Sequence, residues 1–176
     1  APNHNKRESF ELTNPLDSLE AREKAKNSTQ LFQDSMNRLI ESQTDEIRRG
    51  RYISKSAAGA EAGKCLVRYL SSRQDNPDVL KPVKKYVEGR LPLQQAGEFM
   101  GGFVGEYAFA HFLTEHKNHT VEYPETDEDM KLKADWVVSD PNKPETYVQT
   151  KVLPLADEQV EGAQLIYDVS DPAALK

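Results

Sequence analysis

Four residues of this chain are of types that do chemistry once they are brought together: Glu106, Asp135, Gln149 and Lys151. The stretch Thr146 to Val152 is rich in β-branched and aromatic residues and reads as a strand, in which side chains two apart share a face. Gln149 and Lys151 then point the same way as Tyr147, while Val148, Thr150 and Val152 take the other face. Burying a carboxamide and an ammonium without partners costs about a few kcal/mol, so the pair lies at a sheet edge or serves chemistry. Asp135, at the mouth of the preceding strand, is the acid that completes the group. Glu106 is a second anomaly, because it falls on the apolar side of a helical stretch, three residues after Phe103 and four before Ala110. A carboxylate there is costly to bury unless a cation or hydrogen-bond donors meet it.

The elements that must position these residues follow from periodicity and punctuation. Lys133 to Ser139 reads as the strand that carries Asp135, and Asp140-Pro141-Asn142-Lys143-Pro144 has the turn chemistry to join it to the next as an antiparallel hairpin. Leu93 to Lys117 predicts a long helix with Phe99, Met100, Phe103, Val104, Tyr107, Ala110 and Leu113 on its apolar side. Gly101-Gly102 within it marks a kink or a close approach. Beyond it come a strand at 120–123, the hairpin, a short helix near 157–163 and a last strand at 165–169.

An acid at the start of one strand, followed on the next by a polar residue, any residue and Lys, resembles the PD-(D/E)xK nuclease superfamily. Ala134 stands where that family usually has Pro, and Gln149 stands where it usually has Asp or Glu, a neutral-oxygen variant of that position. The order helix, three strands, helix, strand over residues 93–170 is similar to the αβββαβ core of the restriction-endonuclease-like fold, an α/β class with a mixed sheet. The resemblance implies a metal-dependent nuclease that hydrolyses phosphodiester bonds of DNA or RNA to a 5′-phosphate and a 3′-hydroxyl. It implies Mg²⁺ or Mn²⁺ held by Asp135, Glu106, the Gln149 side chain and the Thr150 carbonyl, with Lys151 orienting the water or offsetting charge on the phosphate. Glu98 is the second choice for the helix-borne acid. A non-catalytic nucleic-acid-binding or assembly protein on a degenerate form of the same fold is the alternative, and the substitutions at 134 and 149 fit it.

Ahead of that core the chain is helical. Residues 1–13 read as a loose tail, 14–90 as an N-terminal helical extension and 91–176 as the α/β core. Asn14, Pro15 and Asp17 predict a helix start, and Asn27-Ser28-Thr29 an interruption before the stripe of Phe32, Met36, Leu39, Ile40 and Ile47. Further helices are expected over 57–73, burying Ala62, Cys65, Leu66, Tyr69 and Leu70, and over 79–87. Gly59-Ala60-Glu61-Ala62-Gly63-Lys64 is not a phosphate loop: three residues separate the glycines, no Ser or Thr follows the lysine and no strand leads in.

Charge is distributed unevenly over the 176 residues. Residues 48–90 hold eleven Lys/Arg against four Asp/Glu, whereas 91–176 hold six against sixteen and the whole chain sums to −6. Arg48, Arg49, Arg51, Lys55, Lys81, Lys84 and Lys85 are therefore candidates for contacts to nucleic-acid phosphates, and a solvated helical face balancing the acidic half explains them equally. His111, His116 and His119 with Glu115 are poorly spaced for zinc. No apolar run approaches the ~20 residues of a membrane span, and the first residues lack the apolar centre of a signal peptide. A single cysteine, Cys65, allows no internal disulfide and fits the reducing cytoplasm. The helical half offers a surface for a second copy or a protein partner.

Overall fold

A computed structural model describes residues 7–48, 56–116, 119–125, 129 and 134–150. Four helices precede three strands: α1 (Leu19–Arg48), α2 (Ala57–Ser71), α3 (Leu80–Glu88), α4 (Leu93–His116), β1 (Thr120–Glu122), β2 (Trp136–Asp140) and β3 (Lys143–Val148). This is a mixed α and β chain with a small antiparallel sheet, and α4 followed by three strands is the order expected. The elements anticipated at 157–163 and 165–169 lie outside the described residues, as do Lys151, Arg49, Arg51 and Lys55. Among the described residues no helix is long and apolar enough to cross a membrane. Residues 11–104 form one compact unit, and 105–176 with the first ten residues form another. The division falls inside α4 rather than before it, so the helical region takes in the first half of that helix.

In the sheet-bearing unit β2 is the middle strand, antiparallel to both neighbours. Val121 faces Val138 across one ladder, and Trp136 faces Val148 across the other. Trp136 and Val137 are both buried, as a central strand covered on both faces requires. The expected hairpin is present, with a tighter turn: Asp140 already pairs with Lys143, and the Asn142 amide donates to Asp140 Oδ1 at 3.0 Å. The register slips between Val138 and Asp140, a bulge beside the turn.

Residues 8–10 are not a loose tail. Ser9 bridges Glu122, the Phe10 amide donates to the Val121 carbonyl at 2.8 Å, and the Tyr123 amide donates to the Glu8 carbonyl at 2.8 Å. Phe10 is the reason: its ring is buried edge-on to Trp136, with centroids 5.3 Å apart, and also meets Tyr107 and Tyr123. An aromatic side chain of that size outweighs the entropy of a short segment. Beside it the Arg7 guanidinium, 4% exposed, sits 2.9 Å from Glu145 and 3.8 Å from Glu122.

In the helical unit α1 starts later than expected and runs without a break. Asn14 makes a turn: its Oδ1 accepts from the Leu16 amide at 2.9 Å and its carbonyl from the Asp17 amide at 3.0 Å. Ser18 is the cap, accepting from the Ala21 amide at 3.0 Å. Leu16 and Leu19 are 74% and 79% exposed, so no buried face exists to draw the helix backward. At 27–29 the Thr29 hydroxyl donates to the Ala25 carbonyl at 2.8 Å and Ser28 is buried, while Ala25, Phe32, Met36 and Leu39 keep one apolar stripe. Burial of that stripe outweighs three weak helix formers.

The stripe packs against α2, which buries Ala62, Leu66 and Leu70. Gly63 has a specific cause: a Cβ there would lie 2.0 Å from the Phe103 ring of α4. The glycine-rich stretch is therefore a packing notch. Gly101 and Gly102, expected at a close approach, are exposed, and a Cβ on either meets nothing within 4 Å. We predict that Gly63→Ala lowers stability by ~1–3 kcal/mol, the usual cost of overpacking, and that Phe103→Leu in the same chain recovers part of the loss in thermal unfolding. Gly101→Ala, by contrast, should raise stability slightly, by up to ~1 kcal/mol, through helix propensity.

Candidate functional site

The sheet-bearing unit brings two of the four expected residues together. Trp136, the first residue of β2, is buried and its indole N–H donates to the Glu106 carbonyl of α4 at 3.2 Å. That bond joins the residue after Asp135 to the backbone of Glu106. Asp135 itself extends the ladder by one step, its amide donating to the Val148 carbonyl at 2.7 Å. With both backbones so held, the Glu106 carboxyl hydrogen-bonds the Asp135 side chain.

The other partners of Asp135 come from the chain leaving β3. Thr150 donates twice to Asp135 Oδ2, from its amide at 2.7 Å and from its hydroxyl at 3.1 Å. Asp129 adds a negative charge nearby. The Asp135 carboxyl is consequently raised above its ordinary value. Burial is the main cause and Asp129 adds to it, while the Thr150 amide, the Thr150 hydroxyl and Glu106 pull the other way. Two acids and a pair of donors converge here, beside a third acid, in a partly desolvated place. Trp136, the residue after Asp135, packs in one cluster with the Tyr123 and Phe10 rings.

Gln149 is not brought in: it is exposed, as is Tyr147 two residues before it, whereas Val148 is buried and Thr150 half-buried. The alternation expected in this strand holds up to that point, and the side that meets Asp135 is the one carrying Val148 and Thr150. Lys151 lies outside the described residues. Glu98, the second choice, is exposed. Sequence reasoning assigned Thr150 only a carbonyl role and gave Asp129 none. The β-face shared with Val148 was the available signal for Thr150, and no local signal pointed to Asp129.

Among the described residues no group of three or more His, Cys, Asp or Glu has the arrangement of a metal site. His111 meets Tyr107 edge-on, and His116, exposed, lies against the Phe112 ring. Of the basic residues, Lys81, Lys84 and Lys85 are exposed on α3, and the Arg48 side chain is outside the described set. Compared with known proteins, the chain matches no family model, no curated protein and no solved structure.

Burial that raises the Asp135 pKa has a consequence for stability. A carboxyl that holds its proton more tightly when folded stabilises the protein below its ordinary value of 3.8, and that contribution is lost as pH rises through the folded value. Asp135→Asn removes the ionisation, keeps an oxygen for Thr150 and turns an N–H toward Glu106. We predict a higher unfolding midpoint than the parent near pH 7, with the gain shrinking toward pH 4, as measured by thermal unfolding across a pH series. A variant less stable than the parent at neutral pH would show that the carboxylate is favourably placed as it stands.

Proposed function

We propose that this chain is a divalent-metal-dependent nuclease of the PD-(D/E)xK kind, acting on phosphodiester bonds of DNA or RNA through Glu106, Asp135 and Lys151. One observation carries the reading: an acid from the helix before the sheet and an acid from the start of a strand meet side chain to side chain. Acids converge at such cost where a cation or a titration is part of the work. The donor set suits a hard cation, since it offers carboxylate oxygens and leaves room for water and phosphate oxygen to complete an octahedron.

Asp135 and Glu106 would hold the ion, and Mg²⁺ or Mn²⁺ bound there lowers the pKa of a water and polarises the scissile phosphate. Thr150 fixes one oxygen of Asp135 with two donors. The Trp136 indole holds the helix backbone in register with the strand, so the two acids need little reorganisation to act together. Lys151, next in the chain after Thr150, offsets charge on the phosphate oxygens. Gln149, being exposed, takes no part in this set.

A second reading, a non-catalytic nucleic-acid-binding or assembly protein on the same fold, is favoured by that exposure and by Ala134, which is 1% exposed where the family usually has Pro. The two readings separate in a cleavage assay on single- and double-stranded DNA and RNA with Mg²⁺, Mn²⁺ or EDTA. The nuclease cuts at least one substrate in a metal-dependent way, Asp135→Ala abolishes the cut and Lys151→Ala slows it by ~10²–10³. Absence of cleavage on every substrate with either metal favours the binding protein. Calorimetry adds an independent check: the parent binds Mn²⁺ and Asp135→Ala does not, and equal affinity in the two would remove the metal from this place.

A further inference from the structure

The helical unit holds an open groove of about 200 Å³ between α1, α2 and α3, lined by Phe32, Tyr69, Pro82, Val83 and Tyr86. Thr29 and Gln33 line it from α1 as well. Its aromatic faces are already engaged. Phe32 stacks on Tyr69 with centroids 5.7 Å apart and tilts against Tyr86 at 5.6 Å, and the Arg90 guanidinium lies 3.9 Å from the Tyr86 ring centre. A flat ring therefore finds no free face to stack on, whereas an aliphatic side chain needs only carbon walls and space, which Val83 and Pro82 help to supply. A cavity of about 150 Å³ admits a molecule the size of benzene, so this groove takes one Leu or Met side chain. A whole cofactor needs about 300 Å³ or more.

Charge decides what that side chain is attached to. On α3 the residues four apart share a row, so Lys81 and Lys85 form a line beside the line of Pro82 and Tyr86. On α1 the row of Thr29 and Gln33 runs back to Lys26, three residues before Thr29. All three lysines are exposed and, among the described residues, none enters an ion pair. The acids next to the lining residues are engaged elsewhere: Glu88 lies 3.9 Å from Lys84, and Asp34 accepts from the Gln30 amide at 2.9 Å. Asp78, one turn before Pro82, is outnumbered by the two lysines of α3. Cations thus stand on both sides of an apolar slot. A small amphiphile with one anionic head meets one side only, and a nucleic acid brings charge but no aliphatic side chain. A peptide with an aliphatic residue between acids satisfies both sides and the slot.

We propose that this groove binds a peptide segment of a protein partner in which one aliphatic residue is flanked by acids. The aliphatic side chain enters beside Val83, and the carboxylates meet Lys81 and Lys85 on one side and Lys26 on the other. The inference does not rest on cleavage or on the acid pair, and its test is run without divalent metal.

The probes are unlabelled synthetic peptides with acidic residues on either side of a central Leu, Met or Ser. They are titrated into the isotope-labelled full chain in EDTA and followed by heteronuclear NMR. Expected with the Leu and Met peptides are shifts centred on Thr29, Gln33 and residues 82–86. The Ser peptide should bind about tenfold more weakly, because it brings no apolar surface out of water. Exchanging the flanking acids for their amides, or Lys81→Ala/Lys85→Ala in the chain, should weaken binding several-fold and reduce its salt dependence, since contacts at an exposed rim are screened. Thr29→Trp, which puts a ring into the slot, should abolish binding; the lysine variant changes only exposed residues and gives the answer should Thr29→Trp not fold. No shift with the Leu peptide up to about 1 mM, shifts centred outside the groove, or equal affinity for the Ser or amide peptides would each overturn the proposal. So would displacement of the Leu peptide by oligothymidine, which would make a nucleic acid the occupant, or the same shifts on concentrating the chain alone, which would make it a second copy.

Discussion

The sheet-bearing unit depends on one buried indole. Trp136 packs edge-on against Phe10, and its N–H donates to the Glu106 carbonyl of α4. An indole buried without a partner for its N–H loses a hydrogen bond, worth about 1–3 kcal/mol. The bond therefore selects one register of α4 against β2. Asp135 precedes Trp136 in the chain and Glu106 carries the accepting carbonyl, so fixing that register also fixes where the two acids meet.

The meeting is unfavourable in itself. Burial and Asp129 resist ionisation of Asp135, while the two Thr150 donors and Glu106 favour it. Burial is the larger influence, so the carboxyl is held above its ordinary value. Purely structural acids are usually arranged otherwise, at a helix start or against a guanidinium. Arg7 illustrates that other arrangement, with Glu145 of β3 and Glu122 of β1 around a buried guanidinium and the aromatic cluster next to it.

The helical unit solves a different problem. Its α1 carries weak helix formers and two exposed leucines, yet it runs unbroken because Ala25, Phe32, Met36 and Leu39 bury one stripe against α2. The notch at Gly63 lets the Phe103 ring come close to α2. Three aromatic rings, Phe32, Tyr69 and Tyr86, end up on neighbouring helices around one groove, although they are far apart in sequence and none belongs to a motif.

Much of this was legible in the residues alone. Helix and strand periodicities located α2, α3, α4, β1 and β2 to within a few positions, started α1 too early and broke it, and set β3 three to four residues late. The hairpin, the parity of Tyr147 and Gln149, and the anomaly of Glu106 were apparent from spacing. These are local properties, decided by the 3.6 and 2.0 repeats of the backbone and by turn chemistry. Three kinds of fact belonged to the tertiary structure. The start of α1 and the order of residues 8–10 followed from which side chains found a buried partner, Phe10 succeeding and Leu16 and Leu19 failing. The reason for Gly63 lay in a ring forty residues away. The company of Asp135, which is Thr150, Glu106 and Asp129 rather than Gln149, depended on which strand face turned inward. Spacing along a chain states which side chains share a face; only packing against distant residues decides which face is buried, and the chemistry of a site is set by that choice.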